Sequence, residues 1–336
     1  MFISKQARFN SIAYLLGIWM CMGTVVVDAQ NKTNPKDQSE ELGRVSWYRD
    51  YHAALQLSAE KNKPVLILFQ EVPGCMTCRN YGQHVLSHPL MVEVIENEFI
   101  PLAIYNNKGG KDAEILKKYG EPSWNNPVVR IVNAQGDNIV NRVARNYSAW
   151  GLYQAMTTAL KQSRKKIPAY VDLLGRELSA NQNQSTEEAY YRMYCFWSGA
   201  KHLGASDAVL STEAGFMAGH EVVKVTYDTK KINATDLERY AASNRCSAIK
   251  ADHSYRASAK DDYYYLQHSN YKYLPLTTLQ KTKINVALGD RQGSLAQQYL
   301  SPQQLKWLKA IPNDNGKLVS FVHQDFKIAW KKKAGN

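Results

Sequence analysis

The sequence predicts two successive folded domains, a mixed β-sheet with flanking helices followed by an α+β domain. The chain has 336 residues, of which 44% are hydrophobic and 21% charged, so it contains enough apolar material for two cores. In the first half, continuous apolar runs alternate with amphipathic stretches, as expected for buried strands between helices. In the second half, segments with period-two alternation indicate strands, and these are interleaved with stretches of helical character. A disordered protein is excluded.

The first 29 residues are predicted to be a cleaved export signal. Lys5 and Arg8 precede an apolar run over 12–27, and small residues stand at Val27 and Ala29. A retained membrane anchor is the alternative, although the run is short of the ~20 residues of a span. We therefore expect an exported protein, periplasmic or secreted, without an integral membrane span after cleavage. Residues 30–44, rich in Asn, Lys, Gln and Glu, are expected to form a disordered leader.

The charge balance is basic but diffuse. There are 42 Lys and Arg residues against 30 Asp and Glu, for a formal net charge of +12. The compact basic cluster Lys331-Lys332-Lys333 is interpreted as a solvated tail, so no nucleic-acid partner is expected. At most, the balance favours acidic partners or an anionic surface.

The first domain is predicted to span 45–166. The expected order is helix, strand, helix, helix, strand, helix, strand, strand, helix, which gives a mixed sheet with helices on both faces. These elements are placed at 47–61, 65–69, 75–86, 89–97, 100–105, 111–119, 128–132, 137–143 and 148–165.

A polar linker is expected over 167–186, a second domain over 187–300 and a C-terminal extension over 301–336. In the second domain we expect strands at 190–194, 209–214 and 221–227, and helices at 195–203, 235–244 and 277–288. A capping box of Thr235 with Glu238 is expected to begin the second of these helices.

Two cysteines form a Cys-X-X-Cys motif directly after a predicted buried strand. Cys75 then lies at the first turn of a helix, where the dipole and free backbone amides stabilise a thiolate. Cys78, one turn further on, is placed to resolve a mixed disulfide, so the pair can cycle between dithiol and disulfide. A static structural disulfide is one alternative. Zinc is another, but the sequence has no second ligand pair at similar spacing, so no metal is predicted.

The region 45–161 resembles the thioredoxin family. The matching residues are Lys63-Pro64-Val65-Leu66-Ile67-Leu68-Phe69, Cys75-Met76-Thr77-Cys78, Asn126-Pro127-Val128-Val129 and Asn133-Ala134-Gln135-Gly136. The resemblance implies that Pro127 is a cis proline lying against the dithiol, which leaves backbone groups free to pair with a substrate chain. Met76-Thr77 stands where typical thioredoxins have Gly-Pro.

A third cysteine, Cys195, again lies at a strand end that opens a helix, and two aromatic residues follow it. Core packing explains these aromatics as well as a substrate pocket does. Three blocks of sequence nevertheless resemble the A-type peptide methionine sulfoxide reductases, in the order found in that family. They are Cys195-Phe196-Trp197, Thr212-Glu213-Ala214-Gly215-Phe216 and Gly219-His220-Glu221-Val222-Val223-Lys224-Val225-Thr226-Tyr227-Asp228.

That resemblance implies a role for each matching residue. Cys195 attacks the sulfoxide sulfur and becomes a sulfenic acid, while Phe196 and Trp197 hold the methyl group. Glu221 protonates the sulfoxide oxygen, which is a poor leaving group until then. Phe216 lies in the substrate-binding block, where the family has a tyrosine.

Cys246 has no motif of its own. We interpret it as a resolving cysteine that captures the sulfenic acid on Cys195, with an inert buried thiol as the alternative. Together these features predict a thiol oxidoreductase in which Cys75 and Cys78 reduce the disulfide formed by Cys195 and Cys246. Its partners would be oxidised or disulfide-bonded client proteins and an upstream thiol reductant, and no cofactor is predicted. The runner-up is a disulfide reductase or isomerase whose second domain only binds clients.

Overall fold

A computed structural model of the chain describes residues 32–124, 127–313, 316 and 318–335. The predicted export signal, residues 1–29, lies outside the described residues. Among those described, no helix has both the length and the apolar character needed to cross a membrane.

The first sheet has three strands, β1 (Val65–Gln70), β2 (Ile100–Tyr105) and β3 (Val128–Val132), in the order β2-β1-β3. Strand β1 is parallel to β2 and antiparallel to β3, so the sheet is mixed, as predicted. Every residue of β1 is buried, as its continuous apolar run requires of a central strand covered on both faces.

Helices cover both faces of this sheet. Leu66 and Leu68 on β1 belong to one buried cluster, whereas Val65, Ile67 and Phe69 belong to another. Because successive strand residues point to opposite faces, the two clusters are the two helix layers. The helices are α1 (Tyr51–Lys61), α2 (Met76–His84), α3 (Pro89–Glu98), α4 (Lys111–Tyr119) and α5 (Ala149–Gln162).

The strand predicted over 137–143 is not formed. Only two isolated bridges connect this segment to β3, Val129 with Val143 and Val132 with Asn138. The backbone bends at Ile139 and Val140, between the two bridges, and this interrupts the pairing with β3.

The prediction of a disordered leader over 30–44 is wrong for its described part, which begins at residue 32. A 3₁₀ helix forms at Glu40–Leu42, and the side chain of Leu42 is buried. The indole N–H of Trp47 donates to the Leu42 carbonyl at 2.8 Å. The polar composition of the segment suggested disorder, but buried contacts of Leu42 and Glu41 hold it against the rest of the domain.

The prediction of a linker over 167–186 is also wrong. The segment forms α6 (Ala169–Asn183), and its residues Tyr170, Val171 and Leu174 join the core of the first domain. The prediction relied on the polar residues at the C-terminal end of the segment and overlooked the apolar residues spaced along one face of a helix.

The second sheet has five strands in the order β7-β4-β6-β5-β8, and all its pairings are antiparallel. The strands are β4 (Thr186–Arg192), β5 (Val209–Met217), β6 (His220–Asp228), β7 (Ser247–Ile249) and β8 (Arg256–Ala257). Helices α7 (Phe196–Ala205) and α8 (Ala234–Ser243) pack on one face, where Leu203 and Leu237 meet Val223 and Val225. The N-cap of α8 is Asn233 and not the predicted Thr235, because Asn233 accepts from the Asp236 N–H at 2.9 Å.

The boundary predicted at residue 300 does not separate two units. One buried cluster contains Leu266, Ile284, Leu300 and Val322, so the segment after 300 completes the same core. The C-terminal helices are α9 (Tyr264–Gln267), α10 (Thr278–Gly289), α11 (Gly293–Gln298), α12 (Pro302–Lys309) and α13 (Phe326–Ala334). Phe326 and Trp330 of α13 pack back against the core of the first domain.

Candidate active site

The Cys75–Cys78 pair lies where β1 leaves the first sheet. Cys75 is the N-cap residue of α2 and is exposed, whereas Cys78 is fully buried in the first turn. Their sulfur atoms are 3.9 Å apart, so the two residues are not joined by a disulfide. This agrees with the predicted strand-to-helix junction and places the two sulfurs within reach of a disulfide after a small movement.

The surroundings of the two thiols shift their pKa values in opposite directions, as a redox pair requires. Partial burial raises the pKa of Cys75, but hydrogen bonds from the backbone N–H groups of Cys78 and Thr77 lower it by more, so the net pKa lies below the usual thiol value. Burial, and then the negative charge of Cys75, raises the pKa of Cys78 to about 12. Of the two thiols, Cys75 therefore forms a thiolate more readily, and Cys78 remains a protonated thiol near neutral pH.

A buried carboxylate from the leader lies beneath this pair. Glu41 is 1% exposed, and its Oε1 accepts from the N–H of Gly74, the residue before Cys75, at 2.7 Å. Burial raises the pKa of Glu41, but the Ser39 hydroxyl and the Gly74 N–H lower it by more, which keeps the carboxylate ionised. Arg79 lies 3.7 Å from the same oxygen. The sequence gives little local signal for Glu41, because its partners Gly74 and Arg79 are more than thirty residues away.

Two further residues fix the position of Cys78. Gln70, at the end of β1, donates through Nε2 to the Cys78 carbonyl at 3.2 Å and to the Glu41 carbonyl at 2.7 Å. A Cβ atom on Gly74 would lie 2.7 Å from Cys78 Cβ and 2.5 Å from the Glu71 carbonyl oxygen, so only glycine fits there.

The dithiol has one geometry compatible with a metal ion. One ligand atom from each of Glu71, Cys75 and Cys78 lies within 4.8 Å of the others. Three such ligands would leave an open position on zinc. Because burial keeps the pKa of Cys78 near 12, metal binding would first have to remove a tightly held proton, and the arrangement favours thiol chemistry.

Pro127 is buried and directly precedes β3. Val128 pairs with Phe69, so Pro127 lies at the same end of β1 as the loop that carries Cys75. The predicted cis bond involves Asn126, which lies outside the described residues, and stays a prediction.

Cys195 occupies the equivalent position in the second domain. It is the N-cap residue of α7 and is partly exposed, but its own side chain makes no cap hydrogen bond. Instead the Phe196 N–H donates to Glu221 Oε2 at 2.8 Å. Glu221 lies opposite Phe216 in the β5–β6 pairing. The sheet thus brings Glu221 beside Cys195 from 26 residues along the chain, as the sequence resemblance implied.

The predicted aromatic residues lie in different environments. Phe196 is 4% exposed and makes an edge-on contact with Phe216 at 5.4 Å between ring centres. Phe216 is 43% exposed and therefore offers an accessible apolar surface. The ring of Trp197 instead stacks on Tyr264 at 3.8 Å, a contact that sequence reasoning missed. Tyr194, which precedes Cys195, is fully exposed.

Cys195 and Cys246 line the same cavity of about 430 Å³. They come together because β4 and β7 pair with Arg192 opposite Ser247, which places the two cysteines just beyond the paired segment. Burial raises the pKa of Cys246 to about 11, and its thiol donates to the Asn244 carbonyl at 3.5 Å. Met193, His202 and Arg245 also line this cavity, and sequence reasoning did not identify them.

Comparison with known proteins finds two similarities. Residues 46–134 match the model of a thioredoxin-like family, a range that includes β1, β2, β3 and both residues of the dithiol. The chain therefore contains a thioredoxin-like domain, as the sequence predicted.

A second similarity is to the peptide methionine sulfoxide reductase MsrA of Methanococcus maripaludis (strain C7 / ATCC BAA-1331). It shows 39% identity over 70 residues, which cover 16% of this chain and 45% of that reductase. The chain thus spans less than half the length of that relative. A thioredoxin-like domain joined to a region that resembles this reductase is confirmed, and both similarities indicate an oxidoreductase.

Proposed function

We propose that the protein is an exported enzyme that reduces peptide methionine S-sulfoxide at Cys195 and is recharged by Cys75 and Cys78. The observation that carries the proposal is the shared placement of Cys195, Glu221 and Phe216 at one end of the second sheet. A nucleophile, a carboxyl group and an accessible apolar ring meet there. These are the three groups that reduction of a methyl sulfoxide requires.

In the first step, the Cys195 thiolate attacks the sulfoxide sulfur while Glu221 delivers a proton to the oxygen, which gives an adduct with a new sulfur–sulfur bond and a hydroxyl on the methionine sulfur. The hydroxyl then moves to the Cys195 sulfur as the sulfur–sulfur bond breaks, so methionine leaves as the thioether and Cys195 becomes a sulfenic acid. Phe216 would contact the methyl group. The Phe196 N–H holds the Glu221 carboxyl group in place through its 2.8 Å hydrogen bond.

In the second step, Cys246 attacks the sulfenic acid, forming a Cys195–Cys246 disulfide and releasing water. The shared cavity supports this step, and the antiparallel pairing of β4 with β7 keeps the two segments adjacent. The Cys75 thiolate then attacks this disulfide, and Cys78 resolves the mixed disulfide. Overall, one sulfoxide and two thiols become one thioether, one disulfide and one water.

A disulfide reductase or isomerase with a client-binding second domain is the second candidate. Phe196 is buried and Phe216 lacks the hydroxyl group of a tyrosine, which favours this candidate. In that case the clients would be disulfide-bonded proteins, and Cys195 would take no part in the chemistry.

The number of methionines formed per chain, measured without added reductant, separates the two candidates. The fully reduced chain, freed of reductant, is mixed with excess peptide carrying methionine S-sulfoxide. We expect about two methionines per wild-type chain and about one per Cys75→Ser chain, because each dithiol supplies two electrons. Cys195→Ser should form none. Equal methionine yields from wild type and Cys75→Ser would contradict internal recycling, and no methionine from any chain would contradict sulfoxide reduction.

A further inference from the structure

A cavity of about 600 Å³ lies between the leader, α3 and the C-terminal helices α12 and α13. None of the four described cysteines lines it. Its walls join the two halves of the chain, since Gln303 of α12 donates its backbone N–H to Glu93 of α3 at 2.8 Å. The volume is within the ~300–1,000 Å³ typical of small-molecule sites.

The lining of this cavity is strongly cationic. Five basic side chains contribute to it, and they are Lys36, Arg44, Lys327, Lys331 and Lys333. Over the described part of the chain, none of the five forms an ion pair with a carboxylate. The only acidic residue in the lining is Glu93, which is engaged by Gln303. Five like charges around one cavity repel each other unless an anion is present.

One wall of the cavity is aromatic. Trp307 and Trp330 both line it and meet edge-on, with ring centres 4.8 Å apart. Phe326 supports Trp330 from behind at 5.6 Å and contacts His88 at 5.8 Å. The Nδ1 atom of His88 is buried without a hydrogen-bond partner among the described residues. Tryptophan faces bind apolar groups and cations, so an apolar body can lie on this wall while its charge faces the lysines.

We propose that this cavity binds a small anionic amphiphile, a carboxylate, sulfonate or phosphate group attached to an aromatic or aliphatic body. The anion would be held by Lys327, Lys331 and Lys333 of α13, and the apolar body by the two tryptophans. The site is independent of the thiol chemistry proposed above. Because the ligand contacts both α12 and α13, binding would also stabilise the packing of these two C-terminal helices against each other.

The test uses two dyes that differ in one group, anilinonaphthalene sulfonate and the uncharged phenylnaphthylamine. Fluorescence titration of the full chain should show one saturable site for the sulfonate and much weaker binding of the uncharged dye. The triple variant Lys327→Gln, Lys331→Gln, Lys333→Gln should bind the sulfonate about tenfold more weakly. Trp330→Leu should weaken both dyes.

A matched control removes the same charge elsewhere, at the exposed residues Lys108, Lys117 and Lys250. This control triple to Gln should leave sulfonate binding within about twofold of wild type. An equal loss in both triples would overturn the proposal, because net charge alone would then explain it. Equal affinity for the two dyes would overturn it as well.

Competition separates a simple anion site from an amphiphile site. Octanoate should displace the sulfonate dye, whereas inorganic phosphate at matched ionic strength should not. Displacement by phosphate alone would show that the aromatic wall takes no part, which contradicts the proposal.

Discussion

The two N-cap cysteines, Cys75 and Cys195, each begin a helix, but the backbone amides beside them have different acceptors. At Cys75 the amides at the start of α2 donate to the sulfur, and the pKa of the thiol falls. At Cys195 the first amide of α7 donates instead to the side chain of Glu221. The same place at a helix start can therefore serve the thiol directly or position a second functional side chain beside it.

The partner cysteines differ in a parallel way. Cys78 lies 3.9 Å from Cys75 in the same turn, whereas Cys246 reaches the cavity of Cys195 through strand pairing. The first pair is ready for exchange of electrons with another disulfide. The second pair lines a cavity of about 430 Å³, which in our proposal a substrate enters before the disulfide forms.

The strongest test of this comparison is Glu221→Gln. If Glu221 is the acid for the sulfoxide oxygen, single-turnover methionine formation should slow by about 10²–10⁴-fold. Alkylation of Cys195 by iodoacetamide requires no proton donor, so its rate should change far less than the rate of methionine formation. Equal decreases in the two rates would mean that Glu221 only maintains the fold of this site.

Glu41→Ala should destabilise the first site by about 1–3 kcal/mol, because it leaves the partly buried Gly74 N–H without its acceptor. Urea unfolding followed by fluorescence measures this change. Glu40→Ala is the matched control, since Glu40 is exposed and its ion pair with Arg79 is worth at most ~1 kcal/mol. Equal effects at the two positions would mean that burial of Glu41 contributes nothing particular to the dithiol loop.

The pH dependence of alkylation distinguishes the thiols. The lowered pKa of Cys75 means that its alkylation should reach half-maximal rate below pH 9, the ordinary thiol value. Cys78 and Cys246, with pKa values of about 12 and about 11, should stay unreactive near neutral pH. Mass spectrometry of alkylated peptides from the reduced chain follows each site. Early labelling of Cys246 would contradict its burial.

The smallest expected effect is that of Phe216→Tyr. The substitution restores the hydroxyl group of the sulfoxide reductases, and the ring is 43% exposed, so stability should change by less than about 0.5 kcal/mol. Methionine formation should become severalfold faster if the hydroxyl contacts the sulfoxide oxygen. An unchanged rate, with Phe216→Ala slower than wild type, would assign the position to methyl-group contact alone.

Prediction from sequence succeeded where the signal is local. The run at 65–69 fixes a buried strand because five consecutive apolar residues need cover on both faces, and the position of Cys75 after it follows directly. It failed at α6 and at the leader, where a few buried residues lie among many polar ones. Glu221 was found only through resemblance to known reductases.

The sequence by itself determined the two strand-to-helix junctions and the redox character of the chain, because each depends on residues within about one turn or strand of one another. Tertiary structure decided which carboxylate supports each cysteine, that Cys246 shares a cavity with Cys195, and that the lysines of α13 line a cavity with two tryptophans. Those contacts join residues far apart in the chain. Their geometry follows from sheet register and helix packing, which no local pattern encodes.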